Sequence, residues 1–107
     1  MWGGNMVMND LQKLLEREGY IGIRQITNGE WIGIMRMNYT YGLCVGMDES
    51  GYKGRYCYER ILDAMTAARV YEGEGDPIGP WIKYKGEDEE RMGPGAKEKV
   101  GWHLRKK

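Results

Sequence analysis

The chain has 107 residues, 41% of them hydrophobic and 30% charged, and its 16 basic and 16 acidic side chains cancel. That length suits one domain that buries roughly two-thirds of its extended-chain surface on folding. Zero net charge argues against a globally basic nucleic-acid binder. No apolar run of membrane-spanning length and no signal-like start is present, so neither a membrane nor secretion is indicated.

Charge is unevenly spread. Residues 1–86 carry 10 basic and 11 acidic side chains, segment 87–91 has a net charge of −3, and segment 92–107 a net charge of +4. Seventeen Gly against three Pro point to tight turns. Eight Tyr and four Trp with no Phe mean that every aromatic side chain brings a polar handle. Two Cys and one His suit reduced thiols in a cytosolic protein.

In chain order, Met1 to Met8 reads as a short leader. Asn9 is a helix cap with Gln12 completing an approximate capping box, and Leu11, Leu14 and Leu15 form one apolar stripe that Gly19 ends. A helix of about ten residues is marginal alone and must dock. Ile21, Ile23 and Ile26 read as a strand, followed by the hairpin signal Asn28-Gly29. Glu30 to Tyr39 is a second strand. In the third, Tyr41 to Met47, Tyr41, Leu43, Val45 and Met47 point one way and Gly42, Cys44 and Gly46 the other, leaving a flat face open to close approach.

After a Gly-rich turn, Arg55 to Tyr58 begins a fourth strand. A turn centred on Ser50-Gly51 sets Cys57 opposite Cys44, Tyr56 opposite Val45 and Tyr58 opposite Leu43. A second helix spans about Glu59 to Tyr71, with Ile61, Ala64, Met65, Ala68 and Tyr71 at helical spacing and Gly73 as its stop. Asp76-Pro77 and Gly79-Pro80 fix a turn into a short extended segment, Trp81 to Lys85. Residues 1–92 are expected to form a single globular domain, and 93–107 a basic, flexible C-terminal tail.

The expected fold is α+β: a two-layer sandwich with an antiparallel sheet of three or four strands and two helices on one face. The helix–strand–strand–strand–helix order resembles that of double-stranded-RNA-binding domains. Their lysine cluster at the second helix is replaced here by Tyr58-Glu59-Arg60, which counts against that mode of RNA binding.

Gly51, Tyr52 and Arg55 to Tyr58, then Asp63-Ala64, then Gly73, Gly75 to Pro77, Gly79 to Lys83, Lys85 and Gly86 make up an extended pattern. In these residues the chain resembles a group of small bacteriophage- and prophage-encoded proteins of uncharacterised activity, and the likeness extends to about Ala96. The resemblance implies a phage or prophage setting and a bacterial cytoplasm, and no activity.

Candidate chemistry is sparse. Gly73-Glu74-Gly75 with Gly79 follows a helix rather than preceding one and carries two acids, so it reads as a fixed turn and not a phosphate cradle. Cys44, Cys57 and His103 are too few and too scattered for structural zinc, so no metal site is expected. The carboxylates at Asp48/Glu49, Glu72/Glu74/Asp76 and Glu87 to Glu90 fall in turns or a polar elbow, and no nucleophile has an identifiable base. Neither an enzyme nor a cofactor is expected.

The candidate binding residues are Tyr52, Arg55, Trp81, Lys83 and Lys85, a basic-aromatic patch suited to nucleic acid or an acidic protein surface. In the competing reading Trp81 plugs the end of the core and the lysines are simply solvated. Two functions are carried forward. One is a non-enzymatic phage or prophage accessory protein that binds a host or phage protein, or a second copy of itself, through its flat or Tyr-rich face. The other is a small nucleic-acid-binding module that uses the Trp/Lys patch and the basic tail.

Overall fold

The computed structural model describes residues 2–86 and 90–93, with side chains described from Asp10 onward. Two helices, α1 (Trp2–Arg17) and α2 (Ile61–Val70), accompany six strands: β1 (Ile21–Gln25), β2 (Trp31–Arg36), β3 (Tyr41–Met47), β4 (Gly54–Tyr58), β5 (Trp81–Lys85) and β6 (Glu90–Met92). All six strands join one antiparallel sheet in sequence order. The α+β class stands. The expected count of three or four strands is corrected to six, because the segment from Trp81 pairs with β4 and the charged run around Glu90 adds a further strand.

The helices do not share a face, which corrects the two-layer sandwich and with it the RNA-binding-domain likeness. Leu43 packs with Ile32, Ile34, Tyr56, Tyr58 and the α2 residues Ala64, Ala67 and Ala68. Its neighbour Cys44 packs with Leu15 of α1 and Met47. Adjacent residues of a strand point to opposite faces, so the sheet is sandwiched between α1 and α2.

Two bulges explain why parity misled. The β2–β3 register shifts between Trp31 and Gly33, and Gly46 there has φ +64°. One extra residue flips Met47 out of the Leu43 face and onto the α1 face. A matching shift between Ile21 and Arg24, at Gly22 with φ +60°, sends Ile23 to α1 while Ile26 goes to α2. Each bulge needs a left-handed residue that glycine supplies without strain.

Turn chemistry sets the remaining registers. The Asp48 carboxylate accepts hydrogen bonds from the Ser50 amide at 2.8 Å and the Ser50 hydroxyl at 2.9 Å. That side-chain turn centres the hairpin on Glu49-Ser50, with Asp48 bridged to Gly51. Tyr56 therefore pairs with Leu43 and Tyr58 with Tyr41, two residues from the expected alignment, while Cys57 faces Gly42. Faces are preserved, since a shift of two keeps parity. Cys44 and Cys57 lie on neighbouring strands as buried free thiols.

α1 begins at Trp2 rather than Asn9, because nothing in Met6-Val7-Met8 breaks a helix and each Gly before it costs only about 1 kcal/mol. α2 ends at Val70, where Arg24 reaches across from β1. Its Nε donates to the Ala68 carbonyl at 2.9 Å, and its Nη2 donates to the Tyr71 carbonyl and, at 3.0 Å, to Glu72. A guanidinium at a helix C-terminus satisfies its loose carbonyls and complements its dipole. Of the basic tail expected over residues 93–107, only Gly93 is described, its amide donating to the Ile82 carbonyl at 3.2 Å; residues 94–107 lie outside the described residues.

Candidate binding surfaces

The five residues singled out from sequence do not form one patch. Trp81 is 5% exposed and lies in the α2-side core with Tyr56 and Tyr84. Its ring meets Tyr56 edge-on at 5.2 Å, and its Nε1 donates to the Pro77 carbonyl at 3.2 Å. Lys85 pairs with Arg55 and Lys83 with Cys57, so both lysines lie on the α1 face. A register shift between Cys57 and Tyr58 separates Trp81 from the lysine parity.

The other four residues are brought together on that face. The Arg55 guanidinium donates to the Tyr52 hydroxyl at 2.9 Å. Glu90 of β6 takes Lys83 at 2.9 Å and Lys85 at 3.6 Å, and these two lysines hold its carboxyl below the usual range, Lys83 most strongly. The surface expected to be flat is filled from within the chain. A Cβ on Gly42 would lie 2.8 Å from the Arg55 stem, and one on Gly46 would lie 2.9 Å from that of Lys53. Long cationic stems thus lie over the small residues; the Lys53 head reaches Glu30 at 3.4 Å, whereas the Arg55 Nε is buried without a hydrogen-bond partner among the described residues, and Leu15 packs with Cys44. Burial pushes the Cys44 thiol up to about 12, against the opposing pull of Arg55.

On the opposite face the aromatic hydroxyls hold the 71–80 loop. Tyr56 donates to Asp76 at 2.9 Å, Tyr58 to the Ile78 carbonyl at 2.6 Å, and Tyr71 to the Gly75 carbonyl at 3.2 Å. Burial is the largest cause raising all three phenols above their ordinary range. Arg91 of β6 locks the same loop. Its Nη1 and Nη2 donate to the two Asp76 oxygens at 3.0 and 2.6 Å, and its guanidinium lies 4.4 Å from the Tyr84 ring centre and 5.5 Å from that of Trp81. A bidentate pair flanked by aromatic rings is a strong anchor for so short a strand.

Of the candidate carboxylates, Asp48, Glu72, Asp76 and Glu90 are structural clasps. Glu72 accepts from the Thr27 amide at 2.8 Å, the Thr27 hydroxyl at 2.6 Å and Arg24, which together hold its carboxyl low. Asp76 is lowered first by Arg91 and further by Tyr56, against partial burial. Among the described residues no group of three or more His, Cys, Asp or Glu is placed to hold a metal ion, and no helix is long and apolar enough to cross a membrane.

The surface that sequence reasoning missed is the outer side of α2. Its inner stripe is Ala64, Ala67 and Ala68, all buried. Leu62, Met65 and Val70 point outward, 64%, 41% and 55% exposed. The helical spacing had placed Met65 inside. The adjacent pair Ala67-Ala68 was the available signal, because it centres the buried stripe away from Met65. No family model, curated protein or solved structure matches the chain.

Proposed function

We propose that this chain is a non-enzymatic binding protein of a phage or prophage, acting in the bacterial cytoplasm, and that it works by docking a host or phage protein on the outer face of α2. The phage setting rests on the residue pattern from Gly51 to Gly86. The observation that carries the binding reading is the exposure of Leu62, Met65 and Val70 on a ten-residue helix whose inner face is already filled by alanines. A solvated helix ordinarily carries polar residues there, and three exposed apolar side chains beside Asp63, Thr66 and Arg69 on so short a helix mark a contact surface. The clasping roles of Glu72, Asp76 and Glu90 support a non-enzymatic reading, since each is committed to holding elements together. Affinity capture from bacterial lysate with the full chain and with Leu62→Glu tests it. A protein retained by the parent, resistant to nuclease and lost with Leu62→Glu, is the expected result; equal retention by both sinks the reading.

One observation favours a second reading, a nucleic-acid module. Arg55 and Lys85 stand directly opposite on β4 and β5, and a single carboxylate, Glu90, serves both Lys83 and Lys85. Like charges placed opposite each other destabilise a sheet unless an anion meets them. Retention on heparin that falls steeply with salt, and that Lys83→Ala with Lys85→Ala abolishes, would favour this reading.

A further inference from the structure

β6 lies in a seat whose parts are held by other elements. The edge of β5 offers it a ladder: Lys83 pairs with Met92, Tyr84 with Arg91 and Lys85 with Glu90, and the Gly93 amide donates to the Ile82 carbonyl at 3.2 Å. Asp76 is fixed by the Tyr56 hydroxyl at 2.9 Å, in a loop that Tyr58 and Tyr71 also hold. The Arg91 guanidinium meets this carboxylate with both terminal nitrogens and lies against the rings of Tyr84 and Trp81, with the Tyr56 ring centre 6.0 Å away. Lys83 and Lys85 receive Glu90. Past Met92 the backbone runs so close to Trp81 that a Cβ on Gly93 would collide with the Trp81 carbonyl and ring. β6 itself brings no buried side chain: Glu90 and Met92 are exposed and Arg91 is half-buried.

We infer that the β5 edge, with Asp76 and its aromatic rings, is an arginine-reading strand site, and that β6 is its built-in occupant, displaced by an extended segment of another protein. The site is separate from the outer face of α2 and does not depend on it. Its ligand is a peptide strand reading acidic–Arg–any–Gly: the acid for Lys83 and Lys85, the Arg for Asp76 and the rings, and the Gly for the passage over Trp81. Lysine is a poor substitute, because a point charge can neither fork to two carboxylate oxygens nor stack a plane on a ring. Backbone pairing along the edge supplies affinity, and the side-chain pocket supplies the choice of residue. β6 is held by polar contacts that another segment can copy, and by its tether, which keeps it at an effective concentration on the order of millimolar. It pairs in register only with Lys83, Tyr84 and Lys85 of β5, and a partner strand that continues along Trp81 and Ile82 gains what the tether gives β6.

Fluorescence anisotropy tests this with a labelled peptide copying residues 88–95, titrated against the full chain and its Arg91→Ala variant. Arg91→Ala empties the guanidinium seat and should bind the peptide about tenfold tighter than the parent does, because the built-in competitor has lost its anchor. Replacing the peptide's Arg by Lys should weaken binding by about tenfold, and adding Asp76→Asn to Arg91→Ala should abolish it. Since β6 must open for a partner to enter, the Gly93 amide of the parent should exchange about a hundredfold faster than the amides of β3 and β4. Thermal melting shows which variants are folded, and the exchange measurement needs only the parent, so it stands even where a variant fails to fold. Equal affinity of parent and Arg91→Ala, no binding to either at millimolar peptide, a Lys peptide bound as well as the Arg peptide, or a Gly93 amide as protected as that of Tyr56 would overturn the inference. A parent that sediments as a dimer, lost with Arg91→Ala, would show that the seat receives the β6 of a second copy, and the separate partner would fall.

Discussion

The two faces of the sheet are built by different means. Under α2 the buried set holds Ile26, Ile32, Ile34, Leu43, Tyr56, Tyr58 and Trp81 with three alanines, and the Tyr and Trp polar groups pin the following loop. Under α1 the buried side chains among the described residues are Leu15, Cys44, Cys57 and Met47, ringed by half-buried side chains, with arginine and lysine stems lying over glycines beside them. A chain without Phe can still build a dense layer if its hydroxyls and indole find carbonyls to meet. The thinner layer relies on flexible stems, which adapt but specify little. Most of the fold's stability should therefore lie on the α2 side.

The sharpest test is Trp81→Ala, expected to cost about 3–5 kcal/mol by chemical denaturation, because it empties the α2-side core and removes the Pro77 contact. Leu15→Ala on the opposite face should cost less, about 2–3 kcal/mol, at the low end for a buried leucine because Met47 and its neighbours can settle inward. Equal costs for the two would erase the distinction between the faces. Tyr58→Phe should cost about 1–2 kcal/mol by leaving the Ile78 carbonyl without its donor. Gly42→Ala should cost under about 1 kcal/mol, since the atoms its Cβ meets belong to the movable Arg55 stem.

The smallest effect is one of pH. The Asp76 carboxyl is held below its ordinary value, so its contribution is fully present above about pH 4 and is lost as pH falls through the lowered folded-state value. Asp76→Asn should therefore shrink the fall in melting temperature between neutral and acidic solution. A fall as steep as the parent's would show that the Arg91 clasp contributes nothing measurable.

Strand parity made the first four strands and α2 legible, along with the separation of Leu43 from Cys44. What it could not carry was any feature that resets parity. The bulges at Gly22 and Gly46 moved Ile23 and Met47 to the α1 face, and with them the evidence that α1 docks there. A side-chain turn at Asp48 moved the β3–β4 register by two. β6 was hidden because its pairing depends on Arg91 and Glu90 finding partners on β5 and in the 71–80 loop, not on apolar alternation. Of the candidate site, Tyr52 and Arg55 were placed together correctly, whereas the irregularity after Cys57 parted Trp81 from Lys83 and Lys85.

Because every strand lies beside its predecessor in sequence, the sheet contains no crossover. The one long excursion between strands is the return through α2; the other connections are short, such as the turn from Asp48 to Gly51. Loop closure is cheap for such short spans, so β1 to β4 can zip up by successive hairpins before the α2 return delivers β5. Order of assembly is thus written into the topology: a ribosome releasing this chain exposes each strand after its partner, and a bare edge waits only briefly for its neighbour.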